Sequence, residues 1–366
     1  MGSALPQDQR NDAISARRSG RIRVMVVDDS ITARSALVRT IDTRHDMQVV
    51  ATAGSAEVAL ELLESRSVHV ILLDLEMPGM GGLKALPKIL AKANGTKVCV
   101  VSTLTTAGAE PTLAALAMGA ADTLAKPRTG AFSDEYRAEL AEKIIALADV
   151  RATPATPVPP RVLPSPARQP MRVPAVIALG ASTGGIHALG RFFGALPREI
   201  QAPILVTQHL PAAFMPVFAR QISAMSGRPA IIAQDGTPIE PGTVYIAPGD
   251  GHLMLRQDGD HVVARIADFA VASGCRPSVD PMFESVAEFF GPRGLGVVLS
   301  GMGRDGTVGA QALRDAGGSL FAQDEESCAV FGMPRGIVEA GLAAQVATPE
   351  ELAASIGLKR ERRDGR

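Results

Sequence analysis

The chain has 366 residues, 46% of them apolar and 20% charged, with a formal net charge of −1. That length exceeds what one core usually serves, so two domains are expected. The near-neutral balance excludes a general pull toward nucleic acid or anionic lipid. With no Trp and 4% aromatic residues, the cores must be aliphatic. Cys99, Cys275 and Cys328 are too few and too scattered for a disulfide framework or a zinc site, and Cys99, inside an apolar strand, is expected simply to pack. No apolar run reaches the roughly 18 residues of a membrane span, and the charged N-terminus lacks a signal-peptide core. A reduced, soluble, cytoplasmic protein without membrane insertion fits these features.

Residues 1–20 are polar and aperiodic, which predicts a disordered arm. The first half then alternates short β-branched runs with helical stretches, the pattern of a parallel α/β sheet. Strands are expected at "IRVMVV", "MQVVATA", "VHVILL", "KVCVVS" and "DTLA". The segment "SITARSALVRTID" reads as a helix with a Ser N-cap and Ile31, Val38 and Ile41 on one face. In open parallel sheets chemistry gathers at the carboxyl ends of strands. Those ends carry Asp28-Asp29, Asp74, Ser102-Thr103 and Lys126-Pro127. Three carboxylates at one edge repel each other unless a hard cation joins them, and oxygen donors of this kind suit Mg²⁺. A carboxylate beside Mg²⁺, with a lysine and a hydroxyl nearby, can accept a phosphoryl group as an acyl phosphate.

Any one acidic pair would be an ordinary solvated turn. Together, "VMVVDDS", "ILLDLEMPGMGG", "VVSTLT" and "AKP" resemble the receiver domain of two-component response regulators over residues 21–145. The resemblance implies a flavodoxin-like fold with Asp74 as phosphoacceptor. It also implies Mg²⁺ among Asp28, Asp29, Asp74 and the main-chain carbonyl of Glu76, with Ser102 and Lys126 meeting the phosphoryl group. One departure stands out. Three residues before the lysine, where receivers usually carry an aromatic, this chain has Thr123.

Residues 146–173 form the expected linker; "RATPATPVPPRVLPSPARQPMRVP" carries eight prolines and no period, a composition that predicts a semi-rigid spacer. A second α/β pattern follows, with strands expected at "AVIALG", "PILVTQ", "TVYIAP" and "GVVLSG". Asp280 is expected to cap the helix "PMFESVAEFFG", with Pro281 in its first turn. The turn "GASTGG" allows two readings. Its glycines could cradle a phosphate, or it could hold Ser182 as a nucleophile on a strand-to-helix turn, since it fits G-x-S-x-G. A dinucleotide site would want G-x-G-x-x-G and an acidic residue closing the next strand; the next strand instead closes at Gln208-His209, and a P-loop lysine is missing.

Ser182, His209 and Asp305 each follow a predicted strand, which supplies a nucleophile, a general base and an orienting carboxylate. The order Ser, His, Asp differs from that of α/β-hydrolases. Singly, each residue could be a turn or cap residue. With "TQHLP", "YIAPGDGHL", "RPSVDPMFESV", "LSGMGRDG" and "SCAVFGMPR", the second half resembles the catalytic domain of the chemotaxis protein-glutamate methylesterases, the CheB family, over residues 174–358, with 359–366 a basic tail. A receiver, a linker and this Rossmann-like domain, in that order, are the family's architecture.

The resemblance implies Ser182 as nucleophile, His209 as base and Asp305 as its partner, with Thr183 and Met302 beside the oxyanion site. It implies demethylation of glutamate methyl esters on methyl-accepting chemotaxis receptors, deamidation of selected receptor glutamines, and a chemotaxis histidine kinase as phosphodonor. No cofactor is expected for hydrolysis, no nucleic-acid partner, and a monomer. The competing expectation is a receiver-controlled binding module that has kept the fold and lost catalysis.

Overall fold

The computed structural model describes residues 20–93, 95–102, 106–126, 133–148 and 173–357. Residues 1–19 of the expected arm, most of the linker (149–172), the basic tail, Thr103 and Pro127 lie outside them. The chain divides into two compact units, Met1–Pro157 and Val158–Arg366.

In the first unit the strands are β1 (Ile22–Val27), β2 (Met47–Ala53), β3 (Val70–Asp74), β4 (Lys97–Ser102) and β5 (Asp122–Ala125). Between them run α1 (Ile31–Asp42), α2 (Ala56–Ser65), α3 (Gly82–Lys92) and α4 (Thr106–Ala117), and α5 (Asp134–Ala148) follows. The strands pair in parallel in the order β2-β1-β3-β4-β5. This is the doubly wound order in which the chain leaves β1 in one direction and returns on its other side at β3, opening a crevice between their carboxyl ends. Asp28 and Asp74 stand at that crevice. All six positions of β1 and all five of β3 are buried, which explains why only Arg23 and Asp74 in them are polar.

Helix α1 begins as expected, with the Ser30 side chain accepting from the Ala33 amide. Its buried face differs from the expected one. Ala36, Leu37 and Ile41 pack inward, Val38 is half-buried, and Ile31 is 72% exposed. At about 100° per residue, Ile31 lies roughly 80–120° round the helix from Leu37 and Ile41, on the flank of the stripe they centre.

In the second unit seven described strands pair in parallel: β6 (Val176–Ala181), β7 (Ile204–Gln208), β8 (Ala230–Ile232), β9 (Val244–Ile246), and, after an antiparallel hairpin of β10 (His252–Asp258) and β11 (His261–Ala267), β12 (Gly294–Val298), β13 (Ser319–Gln323) and β14 (Gln345–Ala347). The sheet order is β14-β13-β12-β6-β7-β9-β8. From β6 the chain moves outward through β7, then returns to the far side of β6 at β12. The crevice therefore opens between the ends of β6 and β12. Helices α6 (Gly185–Ala195), α7 (Met215–Ser226), α8 (Val279–Phe290), α9 (Thr307–Asp315), α10 (Met333–Glu339) and α11 (Pro349–Ser355) complete the unit.

The cap of α8 is Ser278 and not Asp280; the Ser278 hydroxyl accepts from the Asp280 amide at 3.3 Å. Asp280 is the second residue of the helix, two positions past its cap. Its carboxylate instead accepts the Gly309 amide of α9 at 2.8 Å and so ties two helices together.

Candidate active site

Each side of Ser182 is fixed by a neighbouring strand end. Its amide donates to the Ser300 carbonyl, just past β12, at 3.0 Å. Its carbonyl accepts from Gln208 Nε2, at the end of β7, at 2.9 Å and from the Gly185 amide at 2.8 Å. Gly184, at φ +77°, turns the chain into α6 in the left-handed region that favours glycine. Gly301 lies so close that a Cβ there would stand 2.9 Å from Cβ of Ser182. The serine thus rests on bare backbone at the foot of a helix N-terminus, where amides lack intrahelical partners. That setting suits an oxyanion.

His209 follows β7, and its amide is tied to the Ala181 carbonyl at 3.2 Å. Its Nε2 stands 2.8 Å from Asp305 Oδ2. A carboxylate only accepts, so Nε2 carries the proton. Asp305 is 1% exposed and also accepts from Ser278 Oγ at 2.6 Å, Ser273 Oγ at 3.0 Å and the Val279 amide at 2.7 Å. Burial pushes the Asp305 carboxyl upward, but the hydrogen bond and charge of His209, with the Ser278 and Val279 donors, hold it at about 2. Burial likewise lowers His209, yet Asp305 and the Cys275 thiol beside the ring raise it to about 9.

Among the described residues the Ser182 hydroxyl makes no hydrogen bond. In catalytic sites, hydrogen bonds to a nucleophile often tighten only when substrate binds. Thr183 is buried, its carbonyl accepting Ser300 Oγ at 2.7 Å. Met302 is half-buried, directly after Gly301. Sequence reasoning missed Gln208, Ser273, Ser278 and Cys275. Ser278 lies within "RPSVD", but its tie to Asp305 spans 27 positions and has no spacing signature.

In the first unit a carboxylate oxygen from each of Asp28, Asp29 and Asp74 lies within 4.8 Å of the others. Asp28 and Asp74 are each 1% exposed and Asp29 is exposed. Burial, then the charge of Asp74, push the Asp28 carboxyl above its ordinary range. Lys126 Nζ reaches Asp74 Oδ2 at 2.6 Å, and the Glu76 amide donates to Asp74 Oδ1 at 3.0 Å. Ser102 is buried, and its hydroxyl oxygen lies 2.7 Å from that of Thr112 on α4, which also meets the Gly108 carbonyl at 2.7 Å. Among the described residues the buried Thr123 hydroxyl has no hydrogen-bond partner.

The family model for CheB methylesterase matches residues 177–356 and that for the response regulator receiver domain residues 24–132. A protein-glutamate methylesterase/protein-glutamine glutaminase 1 of Rhodospirillum rubrum is 39% identical over 94% of this chain and 97% of its own length. The chain belongs to the CheB methylesterase family. Another relative, protein-glutamate methylesterase/protein-glutamine glutaminase 2 of Caulobacter vibrioides, is 43% identical over 89% of this chain and 95% of its own. Among solved structures, the CheB methylesterase catalytic domain of Thermotoga maritima is 36% identical over 50% of this chain and 96% of that one, with a TM-score of 0.48. Two α/β domains, receiver first and esterase second, are thus the organisation of this CheB-family chain.

Proposed function

We propose that this chain is a protein-glutamate methylesterase, with glutaminase activity, switched by phosphorylation of Asp74. The receiver occupies residues 21–145 and the esterase 174–358. The observation that carries the reading is the pairing of His209 with a buried, fully engaged Asp305 beside a serine held on a strand-to-helix turn. In its neutral form His209 keeps Nε2–H on Asp305 and takes the Ser182 proton at Nδ1. Ser182 then attacks the γ-carbonyl of a receptor glutamate methyl ester. The tetrahedral oxyanion is met by backbone amides near Thr183 and Met302. His209 returns the proton to methanol as it leaves, and water releases glutamate from the acyl-enzyme. A glutamine side chain follows the same course with ammonia as leaving group.

In the receiver, the three aspartates fit a hard divalent cation, for Asp28 and Asp74 are buried carboxylates whose mutual repulsion Lys126 offsets only in part. Asp28, Asp29, Asp74 and the Glu76 carbonyl would hold Mg²⁺. When bound, it supplies charge neutralisation for phosphoryl transfer. Asp74 accepts the phosphoryl group from a chemotaxis histidine kinase, Lys126 pairs with it and Ser102 donates to it. The described helices include none long and apolar enough to cross a membrane. The enzyme is read as a cytoplasmic monomer acting on the cytoplasmic parts of its receptors. Methanol release from methylated receptor membranes, with and without a small-molecule phosphodonor, tests the reading. Absence of release by the folded, phosphorylated chain would overturn it.

A further inference from the structure

The hydrolysis just described has no use for the Cys275 thiol, yet its Sγ, which donates to the Ser273 carbonyl at 3.8 Å, stands beside His209. A ring nitrogen of His209, Sγ of Cys275 and a carboxylate oxygen of Asp305 all lie within 4.8 Å of one another. The three residues come from three loops, after β7, before α8 and after β12, which is why cysteine spacing gave no sign of a metal site. His209 and Cys275 are half-buried and Asp305 is buried, so an ion can arrive from solvent onto an anchored oxygen.

Imidazole nitrogen, thiolate sulfur and carboxylate oxygen together are a zinc donor set, whereas magnesium takes oxygen alone. Bonds of 2.0–2.3 Å place donors around a tetrahedral ion roughly 3.3–3.8 Å apart. Closing the cluster to that size requires rotation of the thiol and opening of the His209–Asp305 hydrogen bond. Cys275 is placed to allow it, between exposed Gly274 and exposed Arg276. The fourth position is left to water.

We propose that His209, Cys275 and Asp305 form an inhibitory binding site for zinc. Coordination sends the thiol proton and the ring proton facing the ion into solvent, and it occupies the imidazole and carboxylate that hydrolysis needs. The loss of turnover rests on the reading of His209 as general base; the binding does not.

The test uses the full chain in excess Mg²⁺, which fills the all-oxygen aspartate cluster. Zn²⁺ is titrated against a chromophoric chelator, and Co²⁺ serves as a probe whose thiolate ligation gives a charge-transfer absorption. One tight Zn²⁺ per chain and a thiolate–Co²⁺ band are expected. Both should persist in Ser182→Ala. In Cys275→Ala and Cys275→Ser the band should vanish and Zn²⁺ affinity fall more than about 100-fold, since even outer-shell partners are worth roughly 10–100-fold. Methanol release by the unmodified chain should fall as Zn²⁺ fills the site and return on chelation. Unchanged Zn²⁺ binding in either folded Cys275 variant, or a Co²⁺ complex without a thiolate band, would overturn the site. Tight binding through all three residues with undiminished turnover would overturn its inhibitory role and, with it, the assignment of His209 as base.

Discussion

Nε2 of His209 lies 2.8 Å from Oδ2 of Asp305, a carboxylate that also accepts hydrogen bonds from two serine hydroxyls and a main-chain amide. Four donors converge on two oxygens. The imidazole is thereby held in one tautomer and one orientation.

Asp305→Asn leaves this constellation with one accepting oxygen in place of two, and it presents an NH₂ to groups that are themselves donors. Activity should fall by about 10²–10⁴-fold, less than on loss of the nucleophile. Unfolding free energy should drop by roughly 1–3 kcal/mol, the cost of buried donors left unmatched. Methanol release and denaturant unfolding measure the two effects; unchanged kcat in a folded variant would remove Asp305 from the chemistry.

Ser182→Ala should abolish hydrolysis while the thermal midpoint stays near that of the parent. The hydroxyl makes no hydrogen bond among the described residues, so little structure depends on it. Near-normal turnover by the folded variant would remove Ser182 as nucleophile.

A base must be neutral to work, and His209 is raised to about 9. The kcat/KM profile should therefore climb with pH to a midpoint well above the ordinary imidazole value of about 6.5. The sign for stability is opposite. A raised folded-state pKa gives stability that is fully present below about 6.5 and is lost as pH rises through about 9. Cys275→Ala should move the kinetic midpoint downward, because the thiol is one of the groups that raise it. A parent midpoint at or below 6.5 would contradict this account.

Gly301→Ala should damage the site without touching a reacting group. Its Cβ would stand 2.9 Å from Cβ of Ser182 and closer still to the sulfur of Met333. Overpacking of this kind costs about 1–3 kcal/mol, and displacement of the serine should cut kcat more than it raises KM. Parent-like kinetics would show that the Ser182 backbone can yield.

The receiver should restrain the esterase until Asp74 is phosphorylated. Tethering through the expected linker, residues 146–173, keeps the two units at high effective concentration, so a weak contact can act as a brake. Residues 174–366 alone should turn over faster than the unphosphorylated full chain, and Asp74→Ala with phosphodonor should stay slow. If the isolated domain is no faster, the receiver acts by recruitment or direct activation.

Elements buried on both faces were legible in the sequence. β1 and β4 lie where "IRVMVV" and "KVCVVS" predict them, because a run rich in valine and buried almost throughout serves one kind of element. The mostly half-buried β2 and β5 also fall at "MQVVATA" and "DTLA". β3 begins at Val70 and not Val68, a fraying end of the run. Three-residue strands such as β8 and β14 carry no readable period, and β13 was passed over. The positions of Ser182, His209 and Asp305 at strand ends follow from parallel-sheet logic. Their supporting partners do not: Ser273, Ser278 and Cys275 reach the site from a loop whose fold depends on tertiary contact, and the cap of α8 was displaced from Asp280 to Ser278 for the same reason.

Thr112 carries a single hydroxyl proton, yet its oxygen lies at hydrogen-bond distance from both Ser102 Oγ and the Gly108 carbonyl. Only one of the two can receive that proton at a time. If phosphorylated Asp74 took the Ser102 proton, the Ser102 oxygen would still be able to accept from Thr112, at the expense of the Gly108 carbonyl in the first turn of α4. Such an exchange would carry chemistry at β3 to a neighbouring helix through the direction of hydrogen bonds, with no aromatic ring in motion. In a chain with Thr123 in the place of that ring, the signal would then be measured in single protons.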